Sequence, residues 1–503
     1  MGLTLANYLG VYGIKTLLIE KNSSTVSEPR AVSIDDESMR AMQGVGLAEK
    51  VFAEAMPDYG SLYHSPSGKP FSFVHPRTRE YGYPRRSGFH QWILERQLRE
   101  GLNRFPHVSQ WFEHELVDFG DLDGEVELTV RSPNREDKTV AVSYLAACDG
   151  ARSTVRTKLG IDMEGDSYEE PWLIVDLEGT QDSYRHTKVF CDPRRPGITL
   201  PGPGGARRFE FKLLAGENPE QFASERNVRS LLAAHGPDKN AKIRRRTIYT
   251  FHARMATSWQ VGRVSLHGDA AHLSPPFAGQ GMNSGVRDAV NYGWKLAAVV
   301  RGELGPNLLK TYEQERRAHA WALIEMAVRM GRVMMPSSMA KALVVQAGFR
   351  AIKLIPTLND YITQMRYKPK PRFEAGFLIA DGLGERSIVG RLFPQPNVEL
   401  ADRSVVKLDD ALGPGFALIS MSDRGLAQIP EDAFGRAAVH RLRVTPASVN
   451  SSDAVRDIDG EIGRALEVYS DSAVLLRPDR YVMAAISDAN DLRRVQQLIG
   501  SLA

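Results

Sequence analysis

The stretch that decides the fold is GDAAHLSPPFAGQGMNSGVRDAVNYGWKLA, residues 268–297. It follows an apolar segment, VSLH, that is typical of a buried strand. Asp269 stands where this strand ends, so its carboxylate can accept hydrogen bonds from a polyol. Pro275 and Pro276 then stiffen the loop. We therefore expect a strand end and a rigid loop that together face a ligand.

The second half of the stretch predicts a helix whose first turn is open to that ligand. Gly279 and Gly281 permit close approach to the backbone, and a long helix begins near Met282 and Asn283. A helix N-terminus stabilises a nearby negative charge. Reduced flavin carries such a charge at N1 and O2. The strand-end acid, the paired prolines and the glycine spacing together favour a flavin site over an ordinary glycine-rich loop.

The chain opens with MGLTLANYLGVYGIKTLLIEKNSS, which predicts a helix from Gly2 to Leu9 and a buried strand ending at Glu20. This pattern is typical of the later part of a dinucleotide-binding βαβ unit. There, a glycine turn and a helix N-terminus hold a pyrophosphate, and an acid after the next strand binds ribose hydroxyls. Any helix–strand pair with a chance acid would look similar, because the glycine motif alone is weakly specific.

A third motif is CDGARSTVR, residues 148–156. Asp149 and Gly150 end a strand, and Arg152 and Arg156 follow in the first turns of a helix. The two arginines could meet phosphates or a partner carboxylate, or they could be solvated residues of a plain turn. Both interpretations stay open at this point.

Composition limits the class of protein. The chain has 503 residues, 42% of them hydrophobic and 25% charged, with a net charge of +3. These values predict two to four globular domains and give no reason to expect a nucleic-acid or membrane partner. Two cysteines, Cys148 and Cys191, are too few for a disulfide framework or a cysteine-based zinc site, so we expect no metal site and a cytoplasmic protein.

The pattern of predicted strands, helices and Pro/Gly turns along the chain predicts the domain organisation. Short alternating strands with Pro/Gly turns run from about Trp172 to Tyr249 and indicate a β-rich insert. A Pro- and Lys-rich joint, RYKPKPRF, precedes a small α/β unit. The predicted division is a FAD-binding domain at 1–55, 90–168 and 255–330; a β-rich substrate domain at 56–89 and 169–254; a helical linker at 331–372; and a C-terminal domain at 373–503.

The three motifs resemble those of the group A flavoprotein aromatic hydroxylases, the family of para-hydroxybenzoate hydroxylase. Their order along the chain carries this resemblance: the βαβ piece ending in Glu20 comes first, then Asp149-Gly150, then Gly268-Asp269. The resemblance covers the chain nearly end to end and is closest to the group that hydroxylates 3-(3-hydroxyphenyl)propionate or 3-hydroxycinnamate. The stretches EPRAVSIDDESMRAMQGVGL, YGYPRRSGFHQWILE, VFCDPRRPG, RYKPKP and LLRPDRYVMAA carry this closer resemblance. The resemblance implies an α/β fold with a Rossmann-like FAD domain, an inserted β-rich domain and a C-terminal thioredoxin-like domain. Lacking CxxC, that last domain is expected to be structural and to lie at an interface.

The resemblance also implies roles for individual residues. Glu20 resembles the acid on the adenosine ribose, Arg30 the arginine near the pyrophosphate, and Gln91 a glutamine that contacts flavin. Asp149 belongs to a motif linked to FAD and NAD(P)H. The remaining cofactor positions implied are Gly2, Gly268, Asp269 as ribityl ligand, Pro276 beside the reactive ring edge, Gly279, and the backbone of Gly281, Met282 and Asn283.

The family begins with a strand and GxGPxG, whereas this chain starts beside the third glycine, Gly2. We expect the first strand and first two glycines to be missing. Their absence would leave the pyrophosphate without close backbone donors and neighbouring strands with unpaired groups. We expect this chain to hold FAD weakly or fold poorly, and an upstream in-frame extension to restore both.

The resemblance implies FAD- and NAD(P)H-dependent hydroxylation of a phenol by O₂, ortho to its hydroxyl, through a flavin C4a-hydroperoxide, in aromatic catabolism. Arg207, Arg208 and Arg254 could bind a propanoate tail or be charges on the sheet surface. Tyr249 or His252 could activate the phenol or be structural. The alternatives are a hydroxylase of another phenolic or polyketide substrate, or a flavin-free binding protein. The family also allows a homodimer.

Overall fold

A computed structural model describes residues 1–28, 30–167, 171–436 and 438–502. The described residues form 15 α-helices and 28 strands. The helices are α1 (Gly2–Val11), α2 (Asp36–Gly44), α3 (Ala48–Ala53), α4 (Gln91–Gly101), α5 (Thr154–Lys158), α6 (Pro219–Phe222), α7 (Glu225–His235), α8 (Gly281–Val300), α9 (Asn307–Met334), α10 (Met339–Ile352), α11 (Pro356–Thr363), α12 (Leu408–Leu412), α13 (Asp423–Ala427), α14 (Glu461–Ala465) and α15 (Ala489–Ser501).

The strands form several sheets rather than one. They are β1 (Thr16–Glu20), β2 (Ser33–Asp35), β3 (Met56–Pro57), β4 (Ser61–His64), β5 (Pro70–Val74), β6 (Arg86–Gly88), β7 (Val108–Phe112), β8 (Glu115–Leu122), β9 (Glu125–Arg131), β10 (Asp137–Val142), β11 (Leu145–Ala147), β12 (Met163–Ser167), β13 (Trp172–Glu178), β14 (Thr187–Phe190), β15 (Gly197–Pro201), β16 (Arg207–Lys212), β17 (Lys242–Tyr249), β18 (His252–Ala256), β19 (Gln260–Val261), β20 (Val264–Leu266), β21 (His272–Leu273), β22 (Asn397–Glu399), β23 (Val405–Lys407), β24 (Phe416–Ser420), β25 (Val439–Thr445), β26 (Ala454–Asp457), β27 (Ala473–Leu476) and β28 (Val482–Ile486).

The first domain is built around parallel strand pairs and two long helices. Strand β1 pairs with β7, and β11 pairs with β20, both in parallel. Parallel strands require crossover connections and are covered on their faces by helices. Helix α1 packs on α8, and α8 on α9. Tyr292 of α8 and Tyr312 of α9 are fully buried between these layers. This arrangement brings the ends of β1, β11 and β20 to the same region as the N-terminus of α8.

The β-rich domain is a seven-stranded sheet in the order β17-β13-β16-β15-β14-β4-β5. The early strand β4 pairs in parallel with β14, with Ser61 opposite Thr187. This pairing joins the two segments predicted to form one domain. Helix α7, which the sequence did not predict, covers the sheet with Val228 and Leu232 fully buried.

The segment RRRTIYTFHARM contains β17 and β18, which belong to different sheets. Strand β17 lies at the edge of the seven-stranded sheet, whereas β18 pairs with β12 and β21. The chain therefore leaves the large sheet between Tyr249 and His252. The domain division otherwise stays a prediction, and its limit between residues 168 and 169 lies outside the described residues.

The C-terminal domain is a second seven-stranded sheet, in the order β23-β22-β26-β25-β24-β27-β28. Strands β24, β25 and β26 are parallel, and β27–β28 form an antiparallel hairpin beside β24. The domain contacts the first one through buried ions as well as apolar residues. Arg477 donates to Glu315 of α9 at 2.7 and 2.8 Å, and both side chains are at most 1% exposed. The domain is thus at an interface, as expected.

Candidate active site

The loop that carries Asp269 is held in place by a buried carboxylate, Asp288 of α8. Its Oδ2 accepts from the Gly268 backbone N–H at 3.0 Å and from His272 Nε2 at 2.8 Å. Its Oδ1 accepts from Arg316 Nε at 3.0 Å. His272 and Arg316 hold the pKa of Asp288 below its usual range despite burial. Sequence reasoning missed Asp288, although it lies within residues 268–297.

The glycines of the loop are required by its backbone. Gly268 has φ +57° and Gly279 has φ +62°, a left-handed conformation that residues with a Cβ rarely adopt. A Cβ on Gly279 would also meet Cβ of Ser33 at 3.5 Å. The loop thus lies directly against strand β2.

Helix α8 begins at Gly281 and no side chain caps its N-terminus. The N–H groups of its first turn therefore have no acceptor within the helix. A Cβ on Gly281 would meet nothing within 4 Å, so the space in front of this turn is open. The Asn283 side chain does not face that space, because it bonds to Gly279 O at 2.7 Å and to Ser38 Oγ at 2.8 Å. The backbone N–H groups of residues 281–283 are therefore the donors that this turn offers to an anion.

Asp269 lies at the centre of a charged group. The Asp269 side chain is exposed to solvent. Desolvation by the surrounding protein nevertheless raises the pKa of its carboxyl, although His272 and Arg30 act to lower it. Tyr249 is 51% exposed, and burial of its hydroxyl and the charge of Asp269 raise its pKa. The structure therefore brings together Asp269, Arg30 and Tyr249, which are far apart along the chain.

The first predicted motif lies against the same cleft. A Cβ on Gly2 would meet Cβ of Cys148 at 3.4 Å, so helix α1 starts beside the end of β11. Glu20 ends β1, and its Oε1 accepts from the Asn22 backbone N–H at 2.9 Å and side-chain amide at 2.5 Å. Its other oxygen has no protein partner within the described part of the chain. The position suits a ribose ligand.

Two further predicted residues organise the loops around the cleft. Gln91 Oε1 accepts from the Ala31 backbone N–H at 2.6 Å and so fixes the segment that follows Arg30. Asp149 Oδ2 accepts from the Val155 N–H at 3.1 Å. Arg156 does not point to a ligand, because it donates to the carbonyls of Ala151 and Ala270, both at 3.0 Å.

The arginines predicted to bind a substrate carboxylate differ in whether the protein already pairs them. Arg208 forms a bidentate ion pair with Asp176 at 2.7 and 3.2 Å and donates to Arg30 O at 2.6 Å. Because Arg208 is already paired and buried, it is better suited to positioning Arg30 than to binding substrate. Arg254 has a buried Nε without a hydrogen-bond partner. Burial and the charge of Arg254 lower the pKa of His252, which is therefore neutral at pH 7.

An aromatic wall adjoins the loop at Pro276. Phe277 contacts Trp172 and Phe251, with ring centroids 5.6 and 5.7 Å apart. It also packs on Gly331 of α9, where a Cβ would lie 2.8 Å from the ring. The wall holds the Pro276 loop in position.

Three carboxylates, Asp35, Asp36 and Glu37, lie close enough together to ligate a metal. Cations of the protein already occupy the position, however. Arg287 and Lys368 both bond to Asp35 and to Glu37. Asp36 is different, because its Oδ2 has no hydrogen-bond partner and its nearest cation, Arg85, lies at 3.7 Å. Burial raises the pKa of Asp36 to about 7.

We expect Asp36→Asn to stabilise the protein at pH 8 but not at pH 5. A carboxyl whose folded-state pKa is raised contributes stability at low pH, and this is lost as pH rises towards 7. The amide removes the buried charge that remains above pH 7. We expect a rise in Tm of roughly 2–4 °C at pH 8, the shift that about 1 kcal/mol produces in a large domain. Asp35→Asn is the matched control and should lower Tm, because it leaves Arg287 and Lys368 underpaired.

The cleft residues fit FAD. The uncapped turn at Gly281 suits an anionic ring, Asp269 suits a polyol, and Glu20 suits a ribose. Which of them contact the cofactor stays a prediction, as does the expectation of weak FAD retention.

Comparison with known proteins gives the family. The family described as FAD binding domain matches residues 1–327, and the HcaD C-terminal domain matches residues 390–501. The 3-(3-hydroxy-phenyl)propionate/3-hydroxycinnamic acid hydroxylase of Escherichia coli is 37% identical over 498 residues, which are 96% of this chain and 90% of that protein. The protein of Burkholderia vietnamiensis with the same name, numbered 2, is 37% identical over 503 residues, covering 97% of this chain and 92% of that one.

Solved structures share the whole fold. The flavin-dependent monooxygenase PieE, in complex with FAD and substrate, has a TM-score of 0.83 at 21% identity and covers 99% of this chain and 96% of its own. Aklavinone-11 hydroxylase, with FAD and aklavinone, has a TM-score of 0.79 at 22% identity with the same coverage. Among the helices that the described residues form, none combines the length and apolar character needed to cross a bilayer. The family match and the 37% identity show that this chain belongs to the FAD-dependent aromatic monooxygenases.

Proposed function

We propose that the enzyme hydroxylates 3-(3-hydroxyphenyl)propionate or 3-hydroxycinnamate ortho to the phenol hydroxyl, giving a catechol for further degradation. The observation that carries this proposal is the identity of 37% to hydroxylases of that name over 96% of the chain. One NAD(P)H, one proton and one O₂ are consumed, and the products are the catechol, NAD(P)⁺ and water. We further propose a cytoplasmic location, consistent with two unpaired cysteines.

FAD, when bound, would supply the redox chemistry that links NAD(P)H to O₂. The protein supplies charge stabilisation and orientation. The free N–H groups at the start of α8 stabilise negative charge on the ring, while Asp269 and Glu20 hold the polyol and ribose. The Pro276 loop, supported by Phe277, sets the edge at which the phenol must lie.

A phenol becomes a better donor when it loses its proton. Tyr249 is a poor base, because its own raised pKa keeps it protonated at neutral pH. His252 is neutral at pH 7 and can accept a proton. We therefore propose His252, rather than Tyr249, as the residue that receives the phenol proton.

The test is a comparison of substrates with FAD-loaded protein. 3-(3-Hydroxyphenyl)propionate should stimulate NAD(P)H oxidation and yield one catechol per NAD(P)H. The matched control, 3-phenylpropionate, lacks the activating hydroxyl and should give hydrogen peroxide without hydroxylated product. A polycyclic phenol that is hydroxylated better than both would replace the proposed substrate class with the polyketide alternative. Running the assay with NADH and NADPH in parallel identifies the preferred reductant.

A further inference from the structure

Arg86 has no acidic ion-pair partner among the residues that the structure describes. It lies on β6 and is partly buried. Its Nη1 donates to Ser61 Oγ at 2.7 Å and its Nη2 to the Tyr59 hydroxyl at 3.3 Å. Its guanidinium also lies over the Tyr59 ring, 4.5 Å from the centroid. Among the described residues no carboxylate forms an ion pair with it.

This lack of a partner is unusual, because a buried charge is costly unless it is paired. The nearest acid in register is Asp35, directly opposite Arg86 on β2. That carboxylate is bonded to Arg287 and Lys368 instead. The neighbouring Arg85 has Asp36 at 3.7 Å. Arg86 is thus left with neutral hydroxyl partners in a protein that pairs most of its buried arginines.

The position of Arg86 relates it to the flavin loop. Strands β2 and β6 are antiparallel, with Ser33 opposite Gly88 and Asp35 opposite Arg86. Facing residues, and residues two apart, share one face of a sheet. Ser33 lies against Gly279, so Arg86 is on the face directed to that loop.

The residues that bond to Arg86 also connect it to the Pro276 loop. Ser61 and Tyr63 alternate along β4, and Tyr63 belongs to a buried cluster that includes Phe277, Met335 and Tyr367. Phe277 directly follows Pro276. Burial raises the pKa of the Tyr63 and Tyr367 hydroxyls, and the positive charge of Arg86 opposes that rise at both. An arginine therefore stands at the end of an aromatic cluster that begins at the predicted reactive edge.

We propose that Arg86, with the hydroxyl groups of Tyr59 and Ser61, binds the side-chain carboxylate of the aromatic substrate. This rests on the proposed function for the identity of the substrate. Ion pairing to the carboxylate gives the guanidinium the anion that the protein lacks, and its planar fork suits a two-point contact. The aromatic cluster then accommodates the phenyl ring between this anchor and the Pro276 loop.

The test is calorimetric titration of FAD-loaded protein with two ligands, 3-(3-hydroxyphenyl)propionate and the neutral 3-(3-hydroxyphenyl)propan-1-ol. Arg86→Gln should raise the Kd of the carboxylate about 10- to 100-fold, as expected for losing charged hydrogen bonds, and leave the Kd of the alcohol within about 2-fold. Arg77→Gln, which removes one exposed positive charge from the same region, is the matched control and should change neither Kd by more than about 2-fold. Equal effects on both ligands, or no effect, would overturn the proposal.

Three further variants keep the test decisive. Should Arg86→Gln not fold, Arg86→Lys keeps the charge but loses the fork, and Tyr59→Phe loses one donor. Each should weaken the carboxylate by about 3- to 10-fold and spare the alcohol. Arg254→Gln tests the rival cation, and selective loss there, with Arg86 variants unaffected, would assign the carboxylate to Arg254.

Binding and turnover separate the two proposals. A protein that prefers the carboxylate through Arg86 but makes no catechol would retain this inference and lose the proposed function. A protein that makes catechol while Arg86→Gln keeps the full preference would do the reverse.

Discussion

Asp288→Ala is expected to lower Tm by roughly 6 °C or more and to weaken FAD binding by at least about 10-fold. The carboxylate is fully buried and is shared by Arg316, His272 and the Gly268 N–H. Removing it leaves a buried guanidinium unpaired, which costs about 3–5 kcal/mol, and 1 kcal/mol corresponds to roughly 2–4 °C in large domains. It also releases the backbone on which Asp269 stands.

The measurements are thermal unfolding and FAD titration, each relative to the unsubstituted chain. Asp288→Asn should be intermediate, because the amide oxygen can still accept from Gly268 but does not neutralise Arg316. Asp137→Asn is the matched control. Asp137 pairs with Arg131 on the surface, with 44% of its side chain exposed, and such a solvent-screened pair contributes little to stability. Unchanged FAD affinity in Asp288→Ala would show that the loop keeps its shape without this anchor.

Local pattern was enough to predict the elements that frame the cleft. The strand at β1, the helix α8 and its preceding glycine loop all follow from apolar periodicity and from glycine and proline positions. These features are set by residues close together in sequence. The helix begins at Gly281, within two residues of the predicted start near Met282 and Asn283.

The remainder depends on contacts that no local pattern contains. Arg156 was a candidate for phosphate, yet two carbonyls, one of them Ala270 across the cleft, take up its guanidinium. The anchoring role of Asp288 requires His272 and Arg316 to meet it from other elements. Arg86 is a candidate ligand-binding residue only because Asp35, the residue opposite it on β2, is bonded to other cations. Sequence periodicity predicts which side chains are buried, but not which buried charges find a partner.

The same principle makes Glu315 the residue on which the domain interface depends most strongly. It is fully buried on α9 and accepts from Arg477 of the C-terminal domain, Lys295 of α8 at 2.6 Å, and the Phe377 backbone N–H at 2.8 Å. These cations lower the pKa of Glu315 to about 2, whereas burial alone would raise it. Glu315→Ala is expected to cost about 3–5 kcal/mol, because it leaves Lys295 unpaired and Arg477 with Asp479 alone.

The effect should depend on pH in a defined direction. A carboxyl with a lowered folded-state pKa contributes stability above its ordinary value, 4.5, and this is lost as pH falls towards about 2. The Tm difference between Glu315→Ala and the unsubstituted chain should therefore be full at pH 7 and shrink below pH 4. Limited proteolysis at pH 7 should cut the variant first near residues 366–390, where the chain enters the C-terminal domain.

Two variants test whether the charge balance, rather than the helix, is responsible. Glu325→Gln changes an exposed glutamate of the same helix, whose carboxylate pairs with Arg329 and accepts from Trp321 Nε1 at the surface, and it should shift Tm by less than about 2 °C. Lys295→Met combined with Glu315→Gln removes both members of one pair and should be more stable than Glu315→Ala, since no lysine is left buried without an acid. If the double variant is instead the less stable, the interface depends on packing around Glu315 more than on its charge.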